Sequence, residues 1–217
     1  MKKFILSFTF VLALTGAFAQ SDKYMKAMQD KVVAVDTTRS IDGLRDLSAA
    51  FERIGDAEKT QWLPYYYAAL AQVNSAYLST TFGKAGASVT DPMADKAEQL
   101  LNKAEALSKD NSEIYVIRKM IASARMMADP MSRYMQYGPQ AAAALETARK
   151  LNPENPRIYL LQAEDKFYTP EQYGGSKTEA KKLFDLAMQK YDAAKPATPI
   201  DPTWGRSTTQ YFLSQYK

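Results

Sequence analysis

Residues 141–156 read AAAALETARKLNPENP. Ala141, Leu145 and Ala148 fall at i, i+4 and i+7, so they share one face of a helix. Two alanines there let a neighbouring helix approach closely, and the leucine fills the space between. Asn152-Pro153 then stops that helix, while Asn155 caps the next and Pro156 occupies its first turn. The stretch therefore encodes a helix, a tight turn and a second helix. The same A-x3-[LF]-x2-A spacing recurs at Ala97–Leu101–Ala104 and Ala180–Phe184–Ala187. The intervals between copies are 44 and 39 residues, within the range of two-helix repeats.

The remaining sequence also reads as helix. Asp22 to about Val35 is amphipathic and is interrupted by Thr37-Thr38-Arg39. Ser40 caps a helix to about Gly55, with Leu44, Leu47, Phe51 and Ile54 on one face. Further helices are predicted over Gln61–Leu78, Met93–Ser108, Glu113–Ala128 and Arg157–Tyr168. Others carry the second and third alanine signatures, and a last one begins near Thr203. Loops are expected at 81–90, 129–139 and 169–175, with Asp91-Pro92 opening the first signature helix and Ser176-Lys177-Thr178-Glu179 forming a capping box. Pro196 to Pro202 reads as a connector.

These signatures resemble the tetratricopeptide repeat (TPR), whose second helix carries A-x3-F-x2-A followed by proline five residues later, as Ala148 and Pro153 do here. Its first-helix pattern W-x2-L-G-x2-Y is approached by Trp204-x2-Ser207-Thr208-x2-Tyr211. Tyr173-Gly174-Gly175 and Trp204-Gly205 are also similar to segments of small exported TPR-like proteins of Gram-negative bacteria. The resemblance covers roughly 61–217 and implies an all-α, right-handed α-solenoid of about four TPR-like helix pairs, with enlarged loops inside the pairs. It further implies a concave groove lined by first helices, placing Tyr66, Asn74, Glu113, Arg157, Glu164 and Tyr168 on that groove.

Composition narrows the chemistry. The chain of 217 residues is 46% hydrophobic and 24% charged, as in folded globular proteins. Residues 1–19 combine Lys2 and Lys3, an apolar run from Phe4 to Leu14, and Ala17-Phe18-Ala19, the three parts of a signal peptide. Cleavage after Ala19 would leave one domain, 20–217, in the periplasm or secreted, without a membrane anchor. The net charge of +4 falls to +2 without Lys2 and Lys3, too little for a nucleic-acid partner. The sequence has no histidine and no cysteine. Common zinc sites and Ser-His-Asp or Cys-His catalysis are thereby excluded.

Three further motifs read as packing or turn features. Gly174-Gly175-Ser176-Lys177-Thr178 lacks the glycine before lysine, the more distant glycine and the preceding strand of a phosphate loop. Met127, Met131 and Met135 recur every four residues but have no histidine or cysteine to complete a copper site. Glu164, Asp165 and Glu171 are carboxylates of the kind every solvated helix carries. No enzyme, cofactor or metal is expected. The expected function is an exported, non-catalytic binding or scaffold module for a protein or peptide. The alternative is a small-molecule-binding protein using an aromatic pocket near Tyr168 and Tyr173.

Overall fold

The computed structural model describes residues 22–81 and 85–216, and the signal segment 1–19 lies outside them. All regular structure among the described residues is helical. Helix α1 covers 22–37. It is followed by α2 (Ile41–Glu58), α3 (Leu63–Thr81), α4 (Ala87–Leu107), α5 (Ser112–Met127) and α6 (Pro130–Leu151). Then come α7 (Pro156–Tyr168), a 3-10 turn (Glu171–Tyr173), α8 (Lys177–Ala193) and α9 (Arg206–Ser214).

Helix starts follow the capping chemistry of the sequence. Ser40 accepts from the Gly43 N–H, Asn111 from Glu113, Asn155 from Arg157 and Ser176 from Glu179, each satisfying an otherwise unpaired first-turn donor. Gly174 turns the chain out of the 3-10 segment with φ of +90°. A Cβ on Gly175 would overlap the Thr169 carbonyl, so this turn closes only with glycine there.

All nine signature residues are buried, from Ala97 to Ala187. Each signature helix packs on the helix before it: α4 on α3, α6 on α5 and α8 on α7. Helices α3, α5 and α7 lie side by side in one direction. Contacts between their starts (Glu113 with Arg157) are followed further along by Lys119 with Asp165. A large core joins α1 to α7, and a second, centred on Phe184 and Phe212, joins α7, α8 and α9.

Two expected loops are shorter than the sequence suggests. Helix α4 begins at Ala87 rather than Met93, carrying Pro92 inside it. Thr90 is fully buried and Asp91, instead of capping, takes both guanidinium nitrogens of Arg133 at 2.6 and 2.8 Å. Helix α6 begins at Pro130, capped by Asp129, and runs through Pro139. The proline costs one intrahelical bond, and the Arg133–Asp91 pair ties the added turns to α4. The final helix starts three residues later than expected, after Gly205.

Candidate ligand-binding face

The odd-numbered helices carry two sets of polar side chains, one at their starts and one at their ends. At the starts, Tyr66 of α3 donates to Glu113 Oε2 of α5 at 2.7 Å. Arg157 of α7 binds both oxygens of the same carboxylate, through Nε and Nη2, at 2.6–3.1 Å. Asn155 donates to Glu113 Oε1 at 2.7 Å and to Ser112 Oγ at 3.1 Å. Trp204, from the segment after α8, completes the cluster. Its indole N–H donates to Tyr66 Oη at 2.7 Å, and its ring lies 5.4 Å from the Arg157 guanidinium. Its carbonyl accepts from Tyr191 at 3.0 Å, and nearby Ile200 accepts from Tyr67 at 2.9 Å.

Burial disfavours the Arg157 charge, but the facing Glu113 carboxylate outweighs it and holds the guanidinium above its ordinary range. Burial pushes the Tyr66 hydroxyl well up, and Glu113 adds to the shift, so it stays protonated and donates. Three of the sequence-derived groove residues, Tyr66, Glu113 and Arg157, are thus brought together and spent on one another. Tyr66 is fully buried and Arg157 is 6% exposed, beneath the Trp204 segment.

Toward the helix ends the bonding is left open. Tyr77 of α3 donates to the Met120 carbonyl of α5 at 3.0 Å. Ser123 Oγ on α5 is buried with no hydrogen-bond partner among the described residues. Lys119, nearly buried, reaches the exposed carboxylate of Asp165 at 2.7 Å. Glu164 and Asn74 are half-buried, and neither side chain has a hydrogen-bond partner among the described residues. Burial raises the Glu164 carboxyl to about 7, with Lys119 opposing and Asp165 reinforcing the shift. Near neutrality this group exists in both forms, as a donor and as an acceptor.

Beside Glu164 stands an aromatic shelf. Tyr168 ends α7 with 69% of its surface exposed, and Tyr211 of α9 is 62% exposed. Burial raises the Tyr168 hydroxyl, followed by the influence of Glu164, one turn earlier on α7, and then of Tyr211. Beneath them Phe212 meets the Tyr168 ring edge-on at 5.9 Å, the Tyr211 ring at 5.6 Å, and stacks on Phe184 at 4.7 Å. Phe167 sits 5.1 Å from Phe212. Exposed aromatic faces on a fixed aromatic base suit a flat, apolar ligand. Tyr173, on the 3-10 turn, is also exposed.

Of the remaining sequence-derived residues, Glu164 and Tyr168 share this end while Asn74 occupies the last half of α3. Sequence reasoning passed over Tyr77, Ser123 and Tyr211. Tyr211 had a usable signal: it closes the Trp204-x2-Ser207-Thr208-x2-Tyr211 pattern. Nothing local marked Ser123, whose orphan hydroxyl is defined only by its packed neighbours.

No protein-family model and no curated protein matches the sequence. Among solved structures, the chain is similar to the HusA haemophore from Porphyromonas gingivalis. The TM-score is 0.78 and the identity 34%, over 89% of this chain and 92% of that one. Likeness of that extent, in both sequence and fold, means that the chain belongs to the family of the HusA haemophore.

Proposed function

We propose that this chain is an exported, non-catalytic carrier that holds a haem-class ligand, a flat tetrapyrrole bearing carboxylates, against Tyr168 and Tyr211 beside Glu164. The observation that carries this reading is the 34% identity to a haemophore over 92% of its length. The aromatic shelf agrees with it in shape and chemistry. A macrocycle stacks on tyrosine faces, and a protonated Glu164 donates to a carboxylate. Asn74, half-buried, offers a further polar group. With no histidine or cysteine in the sequence, tyrosine oxygen and methionine sulfur are the remaining common haem-iron donors.

Tyr66, Glu113 and Arg157 have a structural part in this reading: they fix the helices that carry the shelf. The repeated burial of the alanine signatures supports a right-handed solenoid of TPR-like pairs as the frame. No described helix is long and apolar enough to cross a membrane. With cleavage after Ala19, the carrier would work in the periplasm or outside the cell, without nucleic acid and without a stable anchor. A protein partner also has support, because α6 exposes Met131, Tyr134 and Met135 at 94%, 61% and 82% on one helical stretch. Such an apolar patch is suited to docking another protein.

Titration with haemin, followed by absorbance, tests the ligand. The mature chain should bind saturably, and replacing both Tyr168 and Tyr211 by Ala should weaken binding at least tenfold while helicity is kept. Metal-free protoporphyrin separates stacking from iron ligation, since a stacking site holds both. Failure of the wild-type chain to bind, or full affinity in the double variant, would refute the assignment.

A further inference from the structure

A second site lies away from the aromatic shelf, between α1 and α2. These two helices share the main core but leave a groove between them. Ala27 on α1 and Ala50 on α2 are too small to fill the space between them, leaving a crevice of about 640 Å³. Its rim is basic. Lys23 and Lys31 stand on α1 four residues to either side of Ala27, and Arg53 stands on α2. Among the described residues none of the three has an ion-pair partner, and Glu58 is the one carboxylate of the lining.

The wall includes Tyr24, 7% exposed, whose hydroxyl is sealed from solvent with no hydrogen-bond partner. Burial raises that hydroxyl, and the Glu58 and Asp201 carboxylates raise it further, so it is a standing O–H donor. The sealed hydroxyl is out of reach of the crevice. Small apolar walls (Ala27, Ala50, Ile54, Ala57) and three cations without an ion-pair partner among the described residues share a single complement. We propose that the α1–α2 crevice binds an amphipathic anion, an apolar body of alkyl or aromatic character with one anionic head.

Lys23 and Lys31 are separated by about 12 Å along α1 at the helical rise per residue, so either can meet the head of a medium-length chain lying between them. The alanines contact its body. Glu58 disfavours ligands that carry a second anionic group toward its end of the cleft. This site is independent of the haem reading, since it shares no residue with the Tyr168–Tyr211 shelf.

Isothermal titration of the mature chain with dodecanoate, below its micelle concentration, tests the proposal against the uncharged control dodecanol. Saturable binding of dodecanoate with stoichiometry near one is expected, with dodecanol at least tenfold weaker. Ala50→Leu fills the cleft and should abolish the binding. Lys23→Glu with Lys31→Glu, on the rim, should weaken it at least tenfold without perturbing the fold. Haemin titration of all these variants should be unchanged. The proposal is overturned if dodecanoate does not bind saturably or if dodecanol binds equally well. It also fails if the charge-reversed chain retains full affinity, or if Tyr168→Ala rather than the crevice variants removes dodecanoate.

Discussion

Replacing Glu164 by Gln should remove most of the dependence of stability on pH between 5 and 8. In the folded chain its carboxyl is raised from 4.5 to about 7. In the unfolded chain it titrates near the ordinary value. Below pH 4.5 both states hold the proton and the residue is neutral to stability. As pH rises from 4.5 to 7 the unfolded chain loses the proton first, so unfolding becomes progressively easier. Above 7 the cost is constant, about 3 kcal/mol for a shift of that size. For a chain of this length that is a drop of roughly 6–12 °C in melting temperature. The background is favourable, because the sequence contains no histidine to titrate in the same window. The carboxyls of Glu52, Asp56 and Asp91 lie below their usual values and act at lower pH, with the opposite sign. Urea unfolding followed by far-UV circular dichroism at pH 5 and 8 measures the difference. The wild-type chain should be more stable at pH 5, and Glu164→Gln should be nearly flat and the more stable of the two at pH 8. An unchanged slope in the variant would show that the carboxyl is solvated.

Two further substitutions probe the frame. Glu113→Ala strips the buried Arg157 guanidinium of its carboxylate and the Asn155 amide of one of its two acceptors, and should cost about 3–5 kcal/mol in urea unfolding. Recovery of half that loss or more by the double variant with Arg157→Met would show that the stranded charge is responsible. Gly205 has φ of +94°, and a Cβ there would overlap the Tyr191 hydroxyl, so Gly205→Ala should cost about 2 kcal/mol or more. Gly138→Ala, inside α6 and facing only the exposed Tyr134 ring, should instead stabilise by about 0.5–1 kcal/mol.

The contrast between those glycines bears on what the sequence could disclose. The alanine signatures were legible because their spacing is a local property of one helix, and burial of all nine residues follows from it. Ser40, Asn155 and Ser176 were legible for the same reason, since a cap bonds within three residues of itself. The starts of α4 and α6 were not. Pro92 and Pro139 favour a break locally, and the extra turns are held by contacts such as the Arg133–Asp91 pair, 42 residues apart. Pro196 to Pro202 was legible as a connector, but Trp204 was expected in the final helix and not as the cover of the Tyr66–Glu113–Arg157 cluster. That role depends on bonds spanning 133 and 138 residues, from Tyr67 to Ile200 and from Trp204 to Tyr66. Membership in the HusA haemophore family entered through likeness to a solved structure, which no motif in the chain announced.

The two ends of the odd helices explain each other. Helices α3, α5 and α7 run side by side, so each presents polar positions near its start and near its end to the same face. At the starts every strong donor and acceptor is consumed: Glu113 alone accepts from Tyr66, Asn155 and Arg157. A ligand arriving there would have to displace Trp204 and strand a buried ion pair, at a cost of several kcal/mol. At the ends Glu164 has no hydrogen-bond partner among the described residues and Tyr168 is exposed. The difference arises from the C-terminal segment, which covers one end of the face and contributes Tyr211 to the other. A chain ending before Trp204 would therefore lose affinity for the proposed ligand along with the lock on its helices, whereas Trp204→Phe keeps the ring and removes only the N–H to Tyr66. The point substitution should lower stability by about 1–2 kcal/mol and leave haemin affinity unchanged. A loss of affinity in that variant would mean that the ligand uses the start of the face after all.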